Sequence, residues 1–137
     1  MKVLKCLPAA FLLVITLLLL AYTAPAQTVK EFKQADKIFS GPWVNKKTAR
    51  HLRIFLELKE GYFLINDWNS KEQERISGDA YKAFLRSGKL VMPAETEHRA
   101  PYSEMIVTGK QLIYITKYKD VDGKAFIEKE TFVREPW

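Results

Sequence analysis

From Arg50 onward the apolar residues fall on every second position: Leu52, Ile54, Leu56 and Leu58 alternate with His51, Arg53, Phe55 and Glu57. Only an extended strand, whose successive side chains point to opposite faces, gathers such a series on one side. Turn residues then cut the rest of the chain into similar lengths, at Lys59-Glu60-Gly61, Ser87-Gly88, Thr108-Gly109 and Asp122-Gly123. Tyr62 to Ile65 returns from the first turn, and Ala80 to Arg86 pairs with Lys89 to Met92 across the second. Tyr102 to Val107 pairs with Lys110 to Tyr118 across the third, and Tyr118 with Ala125 to Arg134 across the fourth. Trp68 to Glu74 is polar enough to be a loop leading into a short strand near Arg75 to Ser77, with Gly78-Asp79 as a further turn. Pro93 ends a strand, and Ala94 to Pro101 is loop.

The count is about eight short strands joined by tight turns, the pattern of a sandwich or an up-and-down barrel. A meander of hairpins has two open hydrogen-bonding edges, and closure removes both. The expected fold is therefore an all-β, antiparallel up-and-down β-barrel. A Greek-key sandwich is the alternative, but only Asn66 to Glu74 and Ala94 to Pro101 are long enough to cross between sheets.

Two features precede the strands. Met1 to Lys5 is basic, Leu7 to Leu20 is an apolar run, and Ala24-Pro25-Ala26 has the small-x-small form of a leader cleavage site, so residues 1–26 read as a signal peptide and 27–137 as one barrel domain. The competing reading is an uncleaved membrane anchor, since the run approaches the ~20 apolar residues that span a bilayer. Cleavage is preferred because the run thins into Tyr22-Thr23 before the small residues. Cys6, the only cysteine, precedes the apolar run and is misplaced for a lipid acceptor, so no stable membrane anchor is expected after cleavage. Thr28 to Phe39 then has helical spacing in Val29, Phe32, Ala35 and Phe39, with Thr28 and Glu31 placed as a capping box. So short a helix needs a surface to cover.

Ser40-Gly41-Pro42 ends that helix and Trp43 follows. Gly41-Pro42-Trp43, with a short helix before it and a meander after it, resembles the Gly-x-Trp signature that opens the lipocalin-like (calycin) barrels. The resemblance implies that Trp43 closes one end of the barrel and that Arg134, near the end of the last strand, packs over it. It also implies a ligand site in the barrel mouth. Gly41 to Asn45 looks like the first strand of avidin-type barrels too, but the biotin-binding pattern is not traceable further, and biotin is not carried over.

The chain beyond the leader lacks the constellations of catalysis. It has two histidines, His51 and His98, and no cysteine. His51 shares the polar face of its strand and is expected at the surface; His98 lies in a polar loop with Glu95 and Glu97, where no regular element holds a ligating geometry. Asp120-Val121-Asp122-Gly123 lacks the closing glutamate of a calcium loop, since Lys129 stands there, and reads as a turn. Glu128 and Glu130 share one strand face, where a solvated or lysine-paired surface is commoner than an acid/base pair. No phosphate-cradling loop or Gly-x-Ser-x-Gly element occurs.

Formal charge is +6, and removing Lys2 and Lys5 with the leader leaves about +4, a bias that favours solubility. Lys46, Lys47, Arg50 and Arg53 form one basic group and Lys110, Lys117, Lys119, Lys124 and Lys129 another. Such groups suit an anionic lipid, glycan or nucleic acid, but exposed strand lysines also guard sheet edges. The edge-guarding reading is preferred, and export argues against nucleic acid.

The expected function is a non-enzymatic, secreted or periplasmic lipocalin-like protein that binds a small apolar or amphipathic ligand. Tyr62, Leu64, Tyr81, Tyr114 and Phe126 are the expected ligand-lining residues, and Trp43 and Arg134 the structural closure. No cofactor or metal is expected. The alternative is a filled barrel acting through its outer surface as a structural, inhibitory or protein-interaction module.

Overall fold

The computed structural model describes residues 27–69, 79–97 and 99–136. The expected leader, the strand expected near Arg75 to Ser77, and His98 lie outside the described residues. Helix α1 (Val29–Phe39) is followed by strands β1 (Gly41–Asn45), β2 (Arg50–Glu57), β3 (Tyr62–Trp68), β4 (Asp79–Arg86), β5 (Lys89–Met92), β6 (Tyr102–Thr108), β7 (Gln111–Lys119) and β8 (Ala125–Arg134). Each strand pairs antiparallel with the next, and β8 returns to β1, so the sheet is a closed eight-stranded barrel.

The turns do what their residues suggest. Ser87 and Gly88 both have positive φ, at 49° and 75°, the two-residue hairpin form whose twist matches the flanking strands. In the last hairpin the Asp120 carboxylate accepts from the backbone N–H of Asp122 and Lys124, at 3.0 and 2.7 Å, and so closes the turn itself. Strand β3 is longer than the alternation of Tyr62 to Ile65 suggests. It runs on through Asn66, Asp67 and Trp68, because these pair with Arg53, Leu52 and His51 of β2. Of the three, Asp67 faces the lumen opposite Leu52, while Asn66 and Trp68 lie on the outer face.

The register divides every strand into an inner and an outer row. Trp43 faces Leu52, Ile54 faces Ile65, Phe63 faces Ala83, Leu90 faces both Leu85 and Met105, and Leu112 faces Phe132. These residues form one buried apolar cluster with Phe32, Ala35 and Phe39 of α1. Leu52, Ile54, Phe63, Ile65, Leu90, Met105, Leu112 and Phe132 have no solvent-accessible surface. This half of the barrel is closely packed and shielded from water.

Helix α1 plugs that end. Its N-terminus has the full capping box: the Thr28 hydroxyl accepts from Glu31 N–H at 3.2 Å, and the Glu31 carboxylate accepts from Thr28 N–H at 2.9 Å. Phe32, Ala35 and Phe39 turn inward, and the Phe39 ring meets Phe63 edge-on with centroids 6.4 Å apart. The Gln27 side-chain amide donates to the Leu85 carbonyl and ties the entry of the helix to the end of β4.

Trp43 and Arg134 join helix and barrel. The indole Nε1–H of Trp43 donates to the Phe39 carbonyl at 2.8 Å, and the Arg134 guanidinium carbon lies 4.4 Å from the centre of the Trp43 ring system. The same guanidinium donates to the carbonyls of Ser40 at 2.7 Å and Ile38 at 2.8 Å, where a helix presents unsatisfied oxygens and the negative end of its dipole. Gly41 makes room for it. Its φ is +116°, a region nearly closed to other residues, and a Cβ there would stand 3.0 Å from Arg134 Nη1.

Three substitutions test this joint. Trp43→Ala removes a fully buried side chain and is expected to cost about 3–5 kcal/mol, and Arg134→Ala about 1–2 kcal/mol. In the double mutant the arginine deletion is expected to lose most of its effect, since it has nothing left to cover. Gly41→Ala should destabilise without removing an atom from the core. Denaturant unfolding of the set measures all of these, and additivity of the first two would show that the contact carries no energy.

Candidate functional site

The inner rows change character along the barrel axis. Beyond the apolar cluster, towards the end away from α1, residues in phase with it become polar: Asn45 after Trp43, Arg50 before Leu52, Asp67 after Ile65, Tyr81 before Ala83, and Glu130 before Phe132. Strand alternation gives these side chains no choice but the lumen. They meet there as one network.

Arg50 is its centre. Its Nε and Nη2 donate to the two oxygens of Asp67 at 3.0 and 2.5 Å, and Nη1 donates to Glu130 Oε1 at 2.7 Å. The Tyr81 hydroxyl donates to Asp67, and Asn45 Nδ2 donates to Glu130 Oε2 at 3.2 Å. The guanidinium also sits over the Tyr114 ring, 4.7 Å from its centre, with the Phe132 ring at 5.9 Å. The fork geometry of an arginine lets one cation engage two carboxylates and two aromatic faces at once.

Shielding from water makes the arrangement strongly polarised. The Arg50, Asp67 and Glu130 side chains keep only 20%, 13% and 22% of their exposure. Burial alone would lower the Arg50 pKa, but the hydrogen bond and charge of Asp67, with Tyr81 and Glu130, hold it well above the ordinary value, so the cation is permanent. Burial first, then the neighbouring Tyr114 and Asp67, push the Tyr81 hydroxyl well above its ordinary range, and it stays a neutral donor.

Nearer the rim the inner rows carry Ser103, Thr116, Glu128, Tyr118 and Phe126. Tyr118 and Phe126 stack at 5.0 Å between centroids on the long β7–β8 hairpin, and Phe126 is half exposed. Burial, followed by the charge of Glu128, raises the Tyr118 pKa. At this end of the barrel the charged network thus lies next to an aromatic pair.

The residues expected to line a ligand site divide accordingly. Tyr81 and Tyr114 face the lumen, and Phe126 stands at its rim. Tyr62 and Leu64 do not: they are out of phase with the buried Phe63 and Ile65 and lie on the outer face, where Lys82 covers the Tyr62 ring at 4.7 Å. The run from Tyr62 to Ile65 is apolar at every position, so its inner row is legible only from the pairing with β2. Glu130 is likewise corrected from surface to lumen, and Arg50 is withdrawn from the basic surface group for the same reason of phase. Arg50, Asp67, Asn45 and Glu130 escaped the sequence reading as a site, although each continues an apolar row.

His51 is corrected as well. It points outward, yet only 9% of it is exposed, because it stacks on the Trp68 ring at 5.5 Å and its Nδ1 lies 3.0 Å from the Glu135 carboxylate. Among the described residues, no group of His, Cys, Asp and Glu side chains is placed to hold a metal ion. Comparison with protein-family models, with curated proteins and with solved structures finds no match to this chain.

Two outcomes follow from the network. Arg50→Met leaves two shielded carboxylates without their cation and is expected to cost about 3–5 kcal/mol in denaturant unfolding. Below about pH 10 folded and unfolded chains both hold the Tyr81 proton; above it only the folded chain does, so stability should fall as pH rises. The decline should be shallower in Tyr81→Phe. Identical slopes would mean that Tyr81 is not the group shielded.

Proposed function

We propose that this protein is a non-enzymatic binding module of lipocalin-like type, exported to the periplasm or exterior, which takes a small amphipathic ligand at the open mouth of its barrel. The observation that supports this reading is the division of the lumen. The apolar half is filled by its own buried side chains, whereas the other half holds a charged, hydrogen-bonding network beside the stacked Tyr118 and Phe126, of which Phe126 is half exposed. A ligand with one polar end and one apolar end suits such a pair of surfaces, and mouths of barrels are where this architecture holds small molecules. Tyr81 and Tyr114 belong with the network, and Phe126 with the stacked pair.

A second reading draws support from the same network. Arg50 is fully matched by Asp67, Glu130 and two aromatic rings, so the network needs no ligand to be stable. A filled barrel of this kind would act through its outer surface as a structural or interaction module.

Native mass spectrometry of the protein isolated from its own host, with titration of the amphipathic fluorophore 8-anilino-1-naphthalenesulfonate, separates the two. The mouth reading expects a retained small molecule, and saturable fluorophore binding that Phe126→Ala weakens by roughly tenfold, as loss of one aromatic contact face does. A bare mass together with unsaturable or Phe126-independent fluorescence favours the filled barrel.

A further inference from the structure

The outer face of the β7–β8 hairpin differs in charge from the lumen behind it. Register pairs Lys117 with Ile127, Lys119 with Ala125, and Ile115 with Lys129, all on the face opposite Tyr118, Phe126, Glu128 and Glu130. The carboxylates of β8 thus turn inward while the lysines turn outward. On the neighbouring strand Glu104 faces Ile115, but it is engaged by Lys89 at 3.6 Å and by the Tyr102 hydroxyl at 3.1 Å. At the tip the Asp120 carboxylate is taken up by turn N–H groups, which leaves Asp122 as the other acid of a turn that also carries Lys119 and Lys124. The outward field of the hairpin is cationic.

Apolar groups stand in the same field. Val121 at the turn is fully exposed, and Ile127 is 59% exposed between Lys117 and Lys129. Guarding an edge does not account for Lys117, which lies on a strand paired on both sides, with Tyr102 and with Ile127. Aliphatic side chains at a hairpin tip gain nothing from a nucleic acid or a glycan. They gain from an acyl phase.

We propose that the β7–β8 hairpin docks on an anionic lipid bilayer, with Val121 and Ile127 entering the interface and Lys117, Lys119, Lys124 and Lys129 against the head groups. Charge complementarity selects the anionic surface and the aliphatic tip supplies the depth-dependent part. The tip and the open mouth share one end of the barrel, so docking also turns the mouth towards the membrane. This inference stands on the outer face alone and does not rest on a ligand in the lumen.

The test uses the chain from Gln27 to Trp137. It contains every core side chain from Phe32 to Phe132, and hence the whole closed barrel, without the apolar leader that would bind lipid by itself. It has no cysteine, so Val121→Cys adds one thiol for a nitrobenzoxadiazole label. With vesicles of phosphatidylcholine and phosphatidylglycerol at low salt, binding is expected at least about tenfold above that to phosphatidylcholine alone, with loss of binding at roughly 0.5 M salt. The label at position 121 should shift its emission to the blue on binding.

Lys117→Glu/Lys119→Glu/Lys129→Glu should reduce binding to the neutral-vesicle level, and Ile127→Ser should weaken it severalfold. Far-UV circular dichroism checks each variant, and Lys117→Glu alone serves if the triple variant fails to fold. Equal binding to both vesicle types, or anionic binding that survives charge reversal, overturns the proposal. So does an unshifted label on bound protein, or vesicle binding unchanged in Ile127→Ser and abolished by heparin, which would mark a site for soluble polyanions.

Discussion

The seam that closes this barrel is organised around one guanidinium. β1 and β8 share the pairs Trp43–Arg134 and Val44–Val133, extended by the Glu135 N–H donating to the Pro42 carbonyl at 3.0 Å, a short seam for the joint that turns an open meander into a barrel. Arg134 reinforces it by covering Trp43 and by donating to the last carbonyls of α1, so the seam, the plug and the helix terminus are held by one side chain. The cation also meets the helix at the negative end of its dipole. Gly41 belongs to the same joint, since any larger residue would occupy the space through which Arg134 reaches the helix. The spacing Gly41-Pro42-Trp43 is thus a packing requirement.

The lumen beyond the joint is graded. Near α1 the side chains are apolar and without access to water, which is the arrangement that stabilises a small domain most per residue. Further along, the Arg50, Asp67 and Glu130 side chains are partly exposed, and a second apolar layer at that level would have one wet side. The chain instead spans this level with Arg50, Asp67 and Glu130 from three strands, supported by Tyr81 and Asn45. A shielded ion network of this kind adds less net stability than apolar packing, but it accepts only one register of β2, β3 and β8. We infer that it specifies strand alignment at the end of the barrel away from α1.

Charge is sorted by the same alternation. Along β8 the glutamates face the lumen and Lys129 the outside, and β7 repeats the division with Tyr118 inside and Lys117 and Lys119 outside. One strand pair thereby presents an acidic inner and a basic outer surface, a contrast that net charge does not reveal. Aromatic rings moderate both faces: Tyr114 lies under Arg50 on the inside, and Tyr102 under Lys117 on the outside at 5.1 Å. Cation–π contact lets a lysine or arginine stand on a sheet without a carboxylate partner.

Much of the architecture was legible in local sequence. Period-two alternation in Leu52, Ile54 and Leu56, turn pairs such as Ser87-Gly88, and the capping residues Thr28 and Glu31 are signals of short range, and each reports the element it belongs to. Closure was legible too, because a meander of hairpins has edges to satisfy. Phase was legible only where one face was apolar and the other was not. In Tyr62 to Ile65 every position is apolar, and the inner row, hence the outward place of Tyr62 and Leu64, was decided by pairing with β2. The partners of Arg50 lie 17 and 80 residues away, and no local pattern brings Asp67 and Glu130 to one guanidinium; barrel closure does. Sequence determined which segments would be strands and where they would turn, because those are contests between neighbouring residues. Tertiary structure decided which polar residues would be buried together, because that depends on the register and curvature of strands far apart in the chain.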